Sequence, residues 1–153
     1  MSNKKHFQIS QQAAEKLAVR FATPLLVLSL DEIKKNYKIL KKYMPRVKIH
    51  YAIKANPHPE ILRVMADMGS CFDVASDGEI RTLHDMGVDG SRLIYANPVK
   101  TGIGLEACRS CGVRKMTFDS ASEIDKIKKQ CPDHIFPDPG TVHYQIINSL
   151  SLQ

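Results

Sequence analysis

The chain has 153 residues, 43% hydrophobic and 25% charged, a balance that fits one globular domain and excludes a disordered or low-complexity chain. No run reaches the roughly 18 apolar residues of a membrane helix, and the opening MSNKKHFQIS has no apolar secretion core, so a cytoplasmic chain with no membrane partner is expected. The net charge of +6 raises nucleic acid as a partner. However, Lys34, Lys35, Lys38, Lys41 and Lys42 recur like the solvent face of one helix, without interleaved aromatics, so none is expected.

In chain order, residues 1–23 read as an N-terminal helical segment. Apolar, extended runs follow at PLLVLSL (24–30), VKIHYAIKA (47–55), CFDVAS (71–76), RLIYAN (92–97) and RKMTFD (114–119), their centres about 21–24 residues apart. Helical patterns lie between them. Ile61, Leu62, Met65 and Met68 are ended by Gly69, and Ile80, Leu83 and Met86 by Gly87. Glycine there accepts the left-handed cap conformation.

Ser29-x-x-Glu32, Ser76-x-x-Glu79 and Ser120-x-x-Glu123 each match a capping box. Strand–helix units in series predict a parallel sheet with right-handed crossovers. Either an open doubly wound sheet or part of an eight-stranded barrel satisfies that pattern. No glycine-rich dinucleotide loop or Walker loop follows any strand.

Cys71, Cys108, Cys111 and Cys131 fit reduced thiols, and Cys108-x-x-Cys111 lacks the second pair that a metal site needs, so no metal is expected. Beyond Cys131, PDHIFPDPGTVHYQIINSLSLQ holds three prolines in its first eight residues and no further unit, although TVHYQII admits a short strand. The reading therefore divides the chain into 1–23, 24–131 and a divergent tail, 132–153.

Functional groups of parallel β/α structures gather at the carboxyl ends of the strands. Lys54 stands near the end of an otherwise buried run, and Asp73 holds the comparable position on the next. Period-2 alternation sets His50, Ala52 and Lys54 on one face and Cys71, Asp73 and Ala75 on one face, so adjacent strands would let Lys54 and Asp73 converge. A desolvated lysine offers a neutral amine to a carbonyl compound, whereas a nearby carboxylate favours the charged form. A buried ion pair, or a lysine snorkelling to solvent, explains the same pattern without catalysis. Glu79 is explained by its cap, and Asn97-Pro98-Val99-Lys100 by a turn.

Four motifs in order, TPLLVLSLDEI, YAIKANPHPEIL, FDVASDGEI and IYANPVK, with TFDS following, make the chain resemble the pyridoxal-phosphate-dependent ornithine/lysine/diaminopimelate/arginine decarboxylases over residues 21–131. FDVASDGEI with YANPVK is more similar to the ornithine and lysine branch. The resemblance implies the N-terminal half of an alanine-racemase-like (β/α)8 barrel, here truncated. It implies pyridoxal 5′-phosphate as cofactor, Lys54 as its Schiff-base lysine, Asp73 as the acidic residue beside that lysine, and Glu79 as a glutamate near the cofactor. It further implies a small basic amino acid as substrate, giving putrescine or cadaverine in polyamine synthesis, and a homodimer for full-length members.

The family's later strand with an arginine, the stacking histidine, the glycine-rich phosphate site and the C-terminal β-domain have no counterpart in the sequence. A full barrel takes roughly 250 residues. The chain alone is thus expected to be inactive. The alternative is a short non-enzymatic homologue that binds pyridoxal phosphate or pairs with a full-length decarboxylase as regulator.

Overall fold

The computed structural model describes residues 7–132. Helices α1 (Gln11–Phe21) and α2 (Leu30–Tyr43) lead into four strand–helix steps. These are β1 (His50–Ala52) with α3 (Pro59–Asp67), β2 (Cys71–Val74) with α4 (Asp77–Asp85), β3 (Leu93–Tyr95) with α5 (Gly102–Ser110), and β4 (Lys115–Met116) with α6 (Ala121–Gln130). The strands form one parallel sheet in chain order, β1-β2-β3-β4. His50 faces Cys71, Phe72 faces Leu93 and Ile94 faces Lys115, so every ladder carries the same offset of 21 residues. This is the expected α/β architecture with its expected period.

The ladder sorts the side chains. Tyr51, Phe72, Val74, Leu93, Tyr95 and Met116 share the face that packs on the helices, where Leu62, Ile80, Leu83, Leu105 and Ile127 are fully buried. Burying each such side chain stabilises by about 1.5–3 kcal/mol. The other face carries His50, Ala52, Cys71, Asp73, Ile94 and Lys115. At the amino ends, the Arg92 guanidinium donates to Ser70 O at 2.6 Å and Ala66 O at 2.8 Å and lies 6.0 Å from the Phe72 ring, bolting β3 to β2.

Gly69, Gly87 and Gly112 all follow helices with φ between +71° and +81°. After α3, for example, Gly69 N–H donates to Ala66 O and Ser70 N–H to Met65 O, each at 3.0 Å. That is the Schellman closure that only glycine enters without strain.

One expected strand is absent. PLLVLSL forms no ladder, and Leu25, Leu26 and Leu28 are 41%, 72% and 48% exposed. Among the described residues no strand lies beside it, and Pro24 lacks an N–H to give one. An apolar, extended run without a partner does not make a strand. The expected strand at TVHYQII lies outside the described residues. Among those described, no helix is long and apolar enough to cross a membrane.

Candidate functional site

The loops at the carboxyl ends of β1 to β4 form a rim. Lys54 sits just past β1, in a 3-10 turn over Ile53–Ala55 rather than in the strand. The alternation therefore stops at Ala52. Ile53 is buried, whereas Lys54 is exposed and has no hydrogen-bond or ion-pair partner among the described residues. The expectation of a lysine inside a buried strand is corrected: the ladder ends at Ala52, two residues before Lys54, and the ammonium keeps its water. Tyr51 Oη donates to Asn56 O at 3.0 Å, and His58 N–H donates to Asn56 Oδ1 at 3.0 Å. These two bonds curl the segment around Asn56-Pro57 and leave Lys54 on its outside.

Asp73 is 7% exposed and pairs in register with Ala52, two residues short of Lys54. The two strands are neighbours, as convergence of the two side chains requires. Glu79 turns inward from α4. Its Oε2 accepts from Ala75 N–H at 2.6 Å while its own N–H donates to Ser76 Oγ at 3.3 Å. On the other side of the same residue, Asn97 Nδ2 lies 3.5 Å from Ala75 O, and Val99 N–H donates to Asn97 Oδ1 at 3.2 Å.

Sequence reasoning treated Lys100 as part of a turn, and the structure makes it the buried cation of the rim. Its side chain has no exposure. Nζ donates to Pro98 O at 3.2 Å, to Thr117 O, and to Glu123 Oε1 at 3.4 Å, and stands 5.7 Å from the Tyr95 ring. Lys100 N–H donates to Glu123 Oε1 at 3.0 Å, and Lys126 Nζ reaches Glu123 Oε2 at 2.6 Å and Lys100 O at 2.6 Å. The sequence signal at Glu123 was a capping box, which hid this second use of its carboxylate.

The electrostatics of the pair pull in opposite senses. Burial pushes the Lys100 ammonium below its ordinary range, against the attraction of Glu123. Burial alone would raise the Glu123 carboxyl, but hydrogen bonds from Lys126 and the Lys100 N–H, with both ammonium charges, hold it below the usual carboxylate range. The carboxylate stays charged, because two cations and a backbone donor converge on one acid. Elsewhere, burial beside Cys131 pushes the Cys108 thiol up to about 12, so it stays protonated at neutral pH. Among the described residues no cluster of histidine, cysteine and acidic groups could hold a metal ion. A groove of about 350 Å3 runs beside β1 at the edge of the sheet, lined by Leu26, Leu28, Tyr37, Ile49, Tyr51 and Ile61 among others.

The rim thus sets an exposed lysine just past the end of one parallel strand and a buried aspartate on the next. The family model described as pyridoxal-dependent decarboxylase, pyridoxal binding domain, matches residues 30–145, and the chain belongs to that family. It is 52% identical over 128 residues to a lysine/ornithine decarboxylase of Selenomonas ruminantium, covering 84% of this chain and 33% of that protein. A crystal structure of lysine decarboxylase from the same organism superposes with a TM-score of 0.81 at 50% identity, over 85% of this chain and 35% of that one. The lysine/ornithine decarboxylase of Vibrio vulnificus, solved with putrescine, gives a TM-score of 0.77 at 30% identity, over 82% of this chain and 34% of that one. The chain thus spans about a third of the length of the relatives it matches.

Proposed function

We propose that this chain is the lysine-bearing part of a decarboxylase that removes the α-carboxylate of ornithine or lysine, releasing putrescine or cadaverine for polyamine synthesis. Residues 24–131 form the partial barrel and Lys54 is the cofactor anchor. The observation that carries this reading is the contrast between the two lysines of the rim. Lys100 is buried and fully engaged, whereas Lys54 presents an exposed amine with no partner beside the strand that carries Asp73. An aldehyde cofactor requires such an amine.

Pyridoxal phosphate, when bound, supplies the electron sink for loss of the carboxylate. Lys54 would hold it through Nζ. Asp73, on the strand beside the one that Lys54 follows, would set the charge at that amine. Glu79 holds the Ala75 N–H and so shapes the end of β2. The sheet is open at both β1 and β4 among the described residues, so the 153-residue polypeptide on its own is expected not to turn over ornithine or lysine. Two of the Vibrio vulnificus and Selenomonas ruminantium relatives carry both diamino acids in their names, and the substrate class rests on that likeness.

The test is reductive trapping. The chain incubated with pyridoxal phosphate and treated with borohydride is expected to carry the cofactor on Lys54, and Lys54→Ala to carry none there. Label spread evenly over surface lysines overturns the anchor. Diamine release that disappears in Lys54→Ala overturns the expectation of no turnover.

A further inference from the structure

We propose that Lys100 is a positioning residue: its buried ammonium locks the β3–α5 loop to the β4–α6 loop and, through Asn97, holds the end of β2 beside Lys54. The inference rests on reading Lys54 as the cofactor anchor.

The geometry gives each link a named contact. The Lys100 ammonium joins three pieces of chain, Pro98 on its own loop, Thr117 at the end of β4 and Glu123 on α6. Pro98 and Lys100 bracket Val99, whose N–H caps the Asn97 side chain. The amide of that side chain faces Ala75 O, and the N–H of Ala75 is held by Glu79. Ala75 follows Asp73 by two residues, as Lys54 follows Ala52, the register partner of Asp73. The lock thus ends at the close of β2, the strand that packs beside the turn carrying the anchor.

Two physical arguments favour positioning over other roles. A lysine with no exposed side-chain surface and acceptors on three sides cannot reach a cofactor or serve as a second anchor. Nor does stability account for it, since well-packed apolar residues often replace a buried ion pair without loss. What apolar packing cannot do is select one arrangement of loop carbonyls. The amino ends of β2 and β3 are bolted separately by Arg92, so the rim has its own fastening.

The experiment uses the full chain with pyridoxal phosphate, borohydride trapping, and peptide mapping by mass spectrometry. Wild type is compared with Lys100→Met, Asn97→Ala and, as a lysine-removal control, Lys38→Met on the exposed face of α2. Amide hydrogen exchange is followed in parallel. In Lys100→Met, the share of label on Lys54 relative to surface lysines is expected to fall roughly fivefold or more. The amides of Asn97, Val99, Lys100, Thr101 and Thr117 should exchange faster while those of β1 and β2 do not. Asn97→Ala should lose the same selectivity with Thr117 still protected, and Lys38→Met should match wild type.

Selective labelling that persists in Lys100→Met overturns the proposal and leaves the anchor standing. Even labelling of wild type overturns the anchor, and the proposal with it. If Lys100→Met fails to fold, Asn97→Ala decides, and selectivity retained there overturns the proposal.

Discussion

Two lysines in rim loops two strands apart show what a side chain's neighbours decide. VKIHYAIKA marks Lys54 as the costly buried cation, yet the chain turns out of the strand at Ile53 and exposes it. The buried cation is Lys100, in a stretch that reads as an ordinary turn. The pattern of apolar residues reports which strand is buried. It does not report where the ladder stops, which depends on Asn56 and Pro57 curling the chain, nor which acceptors converge from elements 17 and 23 residues later.

The Glu123 carboxylate gives a pH test of that convergence. Its folded pKa lies below the ordinary 4.5, so its contribution is present above that value and is lost as pH falls through the depressed one. The urea midpoint of wild type should therefore exceed that of Glu123→Gln by a constant margin near neutrality. The margin should shrink as pH falls below about 4.5. A margin unchanged down to the acid transition would mean that the carboxylate is not held charged by Lys100 and Lys126.

At the scale of elements, the three Ser-x-x-Glu sequences place three helix starts, and each serine accepts the N–H of its glutamate at 3.3 Å. Only Glu79 returns the bond, and it does so to Ala75, one residue before the cap. Glu32 pairs with Lys35, and Glu123 is drawn to Lys100 and Lys126. The serine half of the motif is local and was readable. The glutamate half depends on what else comes within reach. Ser76→Ala is expected to cost about 1 kcal/mol of global stability by urea unfolding, because α4 is packed on the core through Ile80 and Leu83. Ser10→Ala, capping α1, which buries no residue, should fray that helix in circular dichroism with little shift of the main transition.

The run PLLVLSL failed as a strand for the converse reason. Its composition is that of a strand, but a strand exists only by pairing. Gly90 shows the opposite limit, where one position is set by contact alone. A Cβ there would lie 2.2 Å from Cys111 O, and nothing in the neighbouring sequence announces it.

Across the whole molecule, the rhythm of strand and helix, the parallel sheet and the family were legible because each rests on local pattern repeated four times. The rim was only partly legible. The neighbouring strands of Lys54 and Asp73 were legible from the alternation, although Asp73 falls in register with Ala52 and not with Lys54. The Lys100 cluster joins two loops and α6, which no single window of sequence contains. Both outer strands, β1 and β4, keep an unpaired edge among the described residues. Such edges invite pairing with another chain.

The constant offset of 21 residues also bears on how the chain is made. Each strand finds its partner in the strand synthesised just before it, so no ladder waits for a distant segment. At about 5–20 residues per second on the ribosome, successive strands emerge roughly 1–4 s apart. That is slow beside the closure of so short a loop. Arrested nascent chains exposing residues 1–117 are expected to resist proteolysis across β1 to β3 before α6 has emerged. Protection that arises only once α6 is out would show that the sheet assembles in one concerted step instead. On the sequential view, the Lys100 lock closes last, when Glu123 leaves the exit tunnel, and the rim becomes ordered only after the sheet beneath it already stands.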